Sequence, residues 1–200
     1  MKRNLAMDAA VGKLRSVFKN PYSLAVVLSG CMEGGGFAWV TKRERAKMLE
    51  ACTAFFEAVH GPDHPELVTA LSWLGDYRRD LDERLAAFAR AYSIAMRAEV
   101  GEDYNEAGFV AAKATGDLAK ARRLPEAYEW ARKCLEADKR NGTDAYWDWT
   151  PLDKLMRADK KNTLDLSPLF ALEAELAKAQ GKELPADYVA KCAARKAVQA

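Results

Sequence analysis

Gly61-Pro62-Asp63-His64-Pro65, set between two amphipathic stretches, constrains this chain more than any other segment. Glycine followed by proline ends one helix and forbids its continuation, so the flanking stretches must fold as separate helices. Forty residues on (101 − 61 = 40), Gly101-Glu102-Asp103-Tyr104-Asn105 stands in the same place between two further amphipathic stretches. A period of about 40 lies in the range of stacked helical hairpins. Neither helix of such a hairpin can bury its apolar stripe alone, so hairpin stacks on hairpin. What a stack offers is a surface.

The helix period runs through nearly the whole chain, and the β-branched alternation of strands is absent. Thr41 with Glu44 three residues on reads as a capping box, opening a helix with Ala46, Leu49, Cys52, Phe55, Phe56 and Val59 inward. Gly61 supplies a left-handed cap, and Asp63 is placed to cap the next helix, with Pro65 in its first turn and Leu67, Ala70, Leu71, Leu74 and Tyr77 inward. After Asp80 a helix carries Leu85, Phe88, Ala91, Tyr92 and Ala95. The pattern recurs over about 104–122 (Phe109, Val110, Ala114, Leu118) and 125–138 (Ala127, Trp130, Ala131, Cys134, Leu135). Ser167-Pro168 opens a further helix that ends at Gly181, and Pro185 opens the last, with Tyr188, Val189 and Cys192 inward.

The N-terminal part, 1–41, reads as two helices, 4–18 and 22–32, with Gly34-Gly35-Gly36 breaking the chain after them. The apolar run 23–30 is too short to span a bilayer. It ends in Leu28-Ser29-Gly30-Cys31, which resembles a lipoprotein cleavage box, so lipidation at Cys31 and a membrane-anchored scaffold form the alternative reading. The long basic region before the run contains Asp8, which favours a buried helix with small residues at a close crossing.

Leu74-Gly75, followed by Phe88 and Ala91, resembles a tetratricopeptide repeat, in which small residues let the paired helices approach closely. Residues 61–76 (GPDHPELVTALSWLGD) are similar to the kinesin-light-chain type of that repeat, and 124–138 resembles the second helix of another unit. Tyr77 stands one place early, Arg84 stands where the family prefers alanine, and Gly116 is out of step with the unit after it. The resemblance implies an all-α fold: a right-handed α-solenoid of hairpins over 42–142, an N-terminal helical cap over 1–41 and a C-terminal helical extension over 143–200. It also implies a non-catalytic module, an adaptor, chaperone or immunity-type inhibitor, that holds a partner protein or peptide on the concave face. Carried over position by position, that face contains Thr69, Ser72, Asp76 and Arg79 in one unit and Lys113, Asp117 and Lys120 in the next.

Other constellations point away from chemistry. His60 and His64 are four apart, but Gly61-Pro62 breaks the helix between them, so they read as parts of a turn and no metal is expected. No Lys-Ser or Lys-Thr follows the glycine triplet, so it is no phosphate loop. Nucleophile-elbow, zincin and reactive-cysteine motifs are missing, and the 29 Asp and Glu read as solvated helix faces, which leaves an enzyme using carboxylates in the groove as a further alternative behind the binding module. No cofactor is expected. A net charge of +2 argues against nucleic acid, and four dispersed cysteines suit reduced thiols in a cytoplasmic protein. Tyr146, Trp147 and Trp149 form an aromatic cluster suited either to anchoring a partner or to plugging the end of the array.

Overall fold

A computed structural model of the chain describes residues 12–13, 41–65, 67–97, 106–141 and 151–199. Cys31, the glycine triplet and the Tyr146/Trp147/Trp149 cluster lie outside these residues, as do the expected N-terminal helices apart from Gly12 and Lys13. The described residues are all-helical and contain no strand: α1 (Lys42–His60), α2 (Leu67–Tyr77), α3 (Leu81–Arg97), α4 (Glu106–Lys120), α5 (Leu124–Asn141), α6 (Pro151–Ala158), α7 (Ser167–Ala179) and α8 (Ala186–Gln199). Two compact units divide the chain, Met1–Ala98 and Glu99–Ala200. The α4–α5 hairpin therefore packs with the C-terminal helices, although its sequence resembles the preceding repeat.

In the first unit α1 packs on α2 and α2 on α3. Thr41 starts α1 as the full capping box: its hydroxyl accepts from the Glu44 N–H at 3.3 Å, and its own N–H donates to Glu44 Oε2 at 3.0 Å. The Thr41 hydroxyl, which donates to the same Oε2 at 2.6 Å, and then the Thr41 N–H hold the Glu44 carboxyl below its ordinary range. Gly61 ends the helix at φ 92° and ψ 167°, which is not the expected left-handed cap but a region essentially open to glycine alone. Leu49, Ala51, Cys52 and Leu74 form a core between α1 and α2, with Phe55, Phe56, Trp73 and Tyr77 half-buried around it. Val59, expected inward, is 42% exposed on the last turn of α1. The expected cap residue Asp63 reaches Arg97 of α3 instead, 2.8 Å from Nη2.

The α2–α3 crossing is close at Gly75. A Cβ added to Gly75 would lie 2.4–2.8 Å from ring carbons of Phe88, which is fully buried. Arg84 crosses the same junction and donates from Nε to the Gly75 carbonyl at 3.0 Å. Burying Phe88 stabilises by about 1.5–3 kcal/mol, whereas an exposed ion pair such as Arg97–Asp63 contributes about 0–1. Packing, not surface charge, holds these helices together.

In the second unit α4 pairs with α5, α6 lies against both, and α7 packs on α5. Val110, Ala111, Ala114, Leu118, Ala127, Ala131 and Leu135 interleave with Leu152 and Leu155, all nearly inaccessible. Several contact residues are alanines, so helix backbones approach closely without glycine. Gly116 faces only the flexible end of Lys154, 3.4 Å from its would-be Cβ. No helix among the described residues is long and apolar enough to cross a membrane.

Candidate functional site

The residues assigned to a recognition face fall into two groups, one in each unit. On α2, Thr69 and Asp76 are half-buried at the helix surface, one and two turns along the same side. Ser72 is 4% exposed, which corrects its assignment to that face: it turns into the packed side beside Leu71 and Gly75, where no partner can reach it. Arg79 is exposed as expected, but it stands beyond the end of α2, in the connection to α3. The helix stops at Tyr77, and the last helical bond is the Arg78 N–H to the Leu74 carbonyl at 3.0 Å.

Aromatic side chains stiffen this region. Trp73 and Tyr77 stack one turn apart, ring centroids 6.2 Å apart. Arg45 of α1 lies over the Tyr77 ring at 5.1 Å and donates to its hydroxyl at 3.2 Å. Tyr77 thus links α1 and α2 through polar atoms, as does the Arg78–Glu50 ion pair at 2.8 Å just beyond the end of α2.

On α4 the second group forms one stripe, Phe109, Lys113, Asp117 and Lys120, at steps of four, four and three. The Lys113 ammonium sits 4.4 Å from the centroid of Phe109, and the Lys120 ammonium, 84% exposed, is 4.0 Å from the largely covered Asp117 carboxylate. The charge this stripe offers to the outside is chiefly that of Lys120, since Lys113 is half-buried and the Asp117 carboxylate is largely covered.

The histidine pair behaves otherwise than its helix break implies. His60 and His64 stack with centroids 4.5 Å apart, and Phe56 continues the ladder from His60 at 6.2 Å. The turn at Gly61-Pro62 folds the chain back sharply enough to bring the two rings together. Among the described residues no group of three or more His, Cys, Asp or Glu is placed to hold a metal ion. The neighbouring carboxylates are engaged, Glu57 by Arg90 and Asp63 by Arg97.

Among the described residues of the second unit, Cys134, Asp159 and Glu173 each anchor a buried polar assembly not expected from the sequence. The Cys134 thiol donates to the Gly108 carbonyl at 3.2 Å, and burial, then the nearby Asp138 carboxylate, push its pKa well up, so it stays a thiol. Asp159 follows α6 and organises the loop to α7: Oδ1 accepts from the Thr163 N–H at 2.9 Å and its hydroxyl at 2.7 Å, and Oδ2 accepts from the Leu164 N–H at 2.8 Å and from Arg195. Burial alone would raise its pKa, but these bonds and the Arg195 charge together lower it. Glu173 of α7 is buried and accepts from the Tyr188 hydroxyl through Oε2. Burial pushes its pKa up to about 7, against the lowering effect of the Tyr188 bond. Arg195 and Tyr188 both belong to α8, where Val189, expected inward, is 48% exposed. The inward stripe of α8 over 186–195 is Tyr188 and Cys192, both half-buried, and the buried Arg195.

Glu173 lies on the buried side of α7 between Phe170 and Leu176, a position that the helix period marks as inward although the residue itself is of a type usually solvated. Arg195 stands seven residues from Tyr188, on the same side of α8. Comparison with known proteins adds no assignment: no family model, curated protein or solved structure matches this chain.

Proposed function

We propose that this protein is a non-catalytic binding module, an adaptor, chaperone or inhibitor, that recognises a partner protein or peptide on tetratricopeptide-like hairpins stacked as a right-handed solenoid. The recognition residues in this reading are Thr69, Asp76 and Arg79 at α2, and Lys113, Asp117 and Lys120 on α4. The observation that carries the repeat reading is the seat of Gly75 against Phe88, a close helix crossing at the position where the repeat uses small residues. The α4 stripe supports the binding reading, since its polar side chains stand on a helix whose other sides are occupied by core residues. A partner segment of mixed charge would gain specificity from those groups, more than raw affinity.

The test is a footprint. A partner captured from native lysate is added to the purified chain, and amide exchange is compared with and without it. The reading expects new protection at 67–79 and 106–120. Protection confined to 142–150 would move recognition to the aromatic cluster, and protection nowhere would remove the binding reading.

A further inference from the structure

The last helix is held in an unusual way. Of the side chains at 186–195, only Tyr188, Cys192 and Arg195 are withdrawn from solvent, and none is a large aliphatic residue. Buried carboxylates on two other segments receive this helix: Glu173 of α7 takes the Tyr188 hydroxyl, and Asp159 of the α6–α7 loop takes Arg195. The Tyr188 ring also meets Phe170 edge to face, centroids 6.4 Å apart. A helix whose described contacts are mainly polar depends on the charge state of the groups that receive it.

The two carboxylates differ in kind. Asp159 has a cation and three further donors, which hold its carboxyl below its ordinary value, so it stays ionised near neutral pH. Glu173 has a single neutral donor, and its Oε1 is buried without any hydrogen-bond partner. No cation pairs with it among the described residues. From α5 it faces the Cys134 thiol, which is neutral; Lys139 of α5 is directed to Glu175 at 3.2 Å, and Lys154 of α6 lies near Cys134. From α8 it faces Tyr188, whose hydroxyl donates to it. An ionised Glu173 in this setting has one bond to replace its whole hydration shell.

We propose that α8 is a proton-controlled latch: it stays docked while Glu173 carries its proton and loosens when Glu173 ionises. Releasing Tyr188 opens the carboxylate to water, which hydrates the ion far better than the buried site does. The docked state therefore binds the proton more tightly than the released state, and by linkage docking must weaken as pH rises. The sign follows from the raised value. Docking is fullest below the ordinary glutamate range, declines between that range and about pH 7, and levels off above it. Asp159 does not titrate in this window, so the response belongs to Glu173.

Hydrogen exchange on the full chain tests the latch, with exchange times corrected for the intrinsic pH dependence. Between about pH 5.5 and about pH 8, protection of the 186–199 amides should fall about tenfold or more relative to α5. Glu173→Gln keeps the hydrogen-bonding shape and cannot ionise, so its protection should be unchanged across the same range. An equal fall in Glu173→Gln, or no fall in the wild type, overturns the proposal. Carbon-detected NMR of the wild type gives a measurement that needs no variant. The Glu173 carboxyl and the α8 amides should titrate together near neutrality; a Glu173 midpoint in the ordinary carboxylate range, or α8 amides that do not follow it, overturns the latch equally.

Discussion

One added methyl group distinguishes the two mid-helix glycines, Gly75 and Gly116. At Gly75 the methyl would overlap the Phe88 ring at 2.4–2.8 Å, and Phe88 is fully enclosed, so the helices must separate. Gly75→Ala should cost about 1–3 kcal/mol and Gly75→Leu more. At Gly116 the neighbour is the flexible Lys154 chain at 3.4 Å, and alanine is the better helix former by about 0.5–1 kcal/mol, so Gly116→Ala should be neutral or stabilising. Urea denaturation of both variants checks the pair; equal effects would show that the α2–α3 crossing is not close at Gly75. The role of Gly75 was legible in the sequence, because Leu74-Gly75 with Phe88 is a packing pattern. The roles of Glu173 and Arg195 were not read there, since a lone charge in a helix pattern is most often solvated and only its neighbours in space show that it is buried.

Helix α1 starts at the residue its sequence announces. Thr41 and Glu44 exchange both capping bonds, and Thr41→Ala should cost about 1 kcal/mol, measurable by thermal or urea unfolding. Where capping depends on residues three apart, the element is readable from sequence alone. Asp63 and Val59 show the limit: one was read as a cap and the other as core, yet one meets Arg97 and the other faces solvent. Both outcomes depend on where a distant helix lies. The same holds for the loop after α6, where Asp159 gathers Thr163, Leu164 and Arg195. Asp159→Ala would leave Arg195 buried without its counter-charge, and should cost about 3–5 kcal/mol in urea. The acid response has a definite sign. The carboxyl of Asp159 titrates below its ordinary value of 3.8, so its contribution is present above that value and is lost as pH falls through the lowered one. Wild type should lose more stability than Asp159→Asn when the urea midpoint is compared at pH 6 and pH 3. Equal losses would mean that the carboxylate is not held by these bonds.

At the scale of the molecule, fold class was the most legible property, because a helix period with Gly-Pro stops admits only helices. The assignment of helices to units was less so: the α4–α5 hairpin resembles a repeat in sequence but packs in one unit with α6 and α7. Sequence similarity marks common form, whereas packing depends on which apolar faces remain uncovered. Of the residues proposed for recognition, those on α4 share one side of the helix at steps of four and three, whereas Ser72 is buried. The reading that this surface binds a partner predicts that charge, not shape alone, controls affinity. Arg79 and Lys120 are exposed, so reversing them should leave stability within about 0.5 kcal/mol. Lys133 is a poor control, since its ammonium packs 4.3 Å from the Trp130 ring; Lys178, exposed on α7, is a better one. The most direct measurement is calorimetric titration of the captured partner into wild type, Arg79→Glu/Lys120→Glu and Lys178→Glu. The account predicts an affinity loss of about tenfold or more for the double reversal alone. Equal affinities for all three proteins would contradict it.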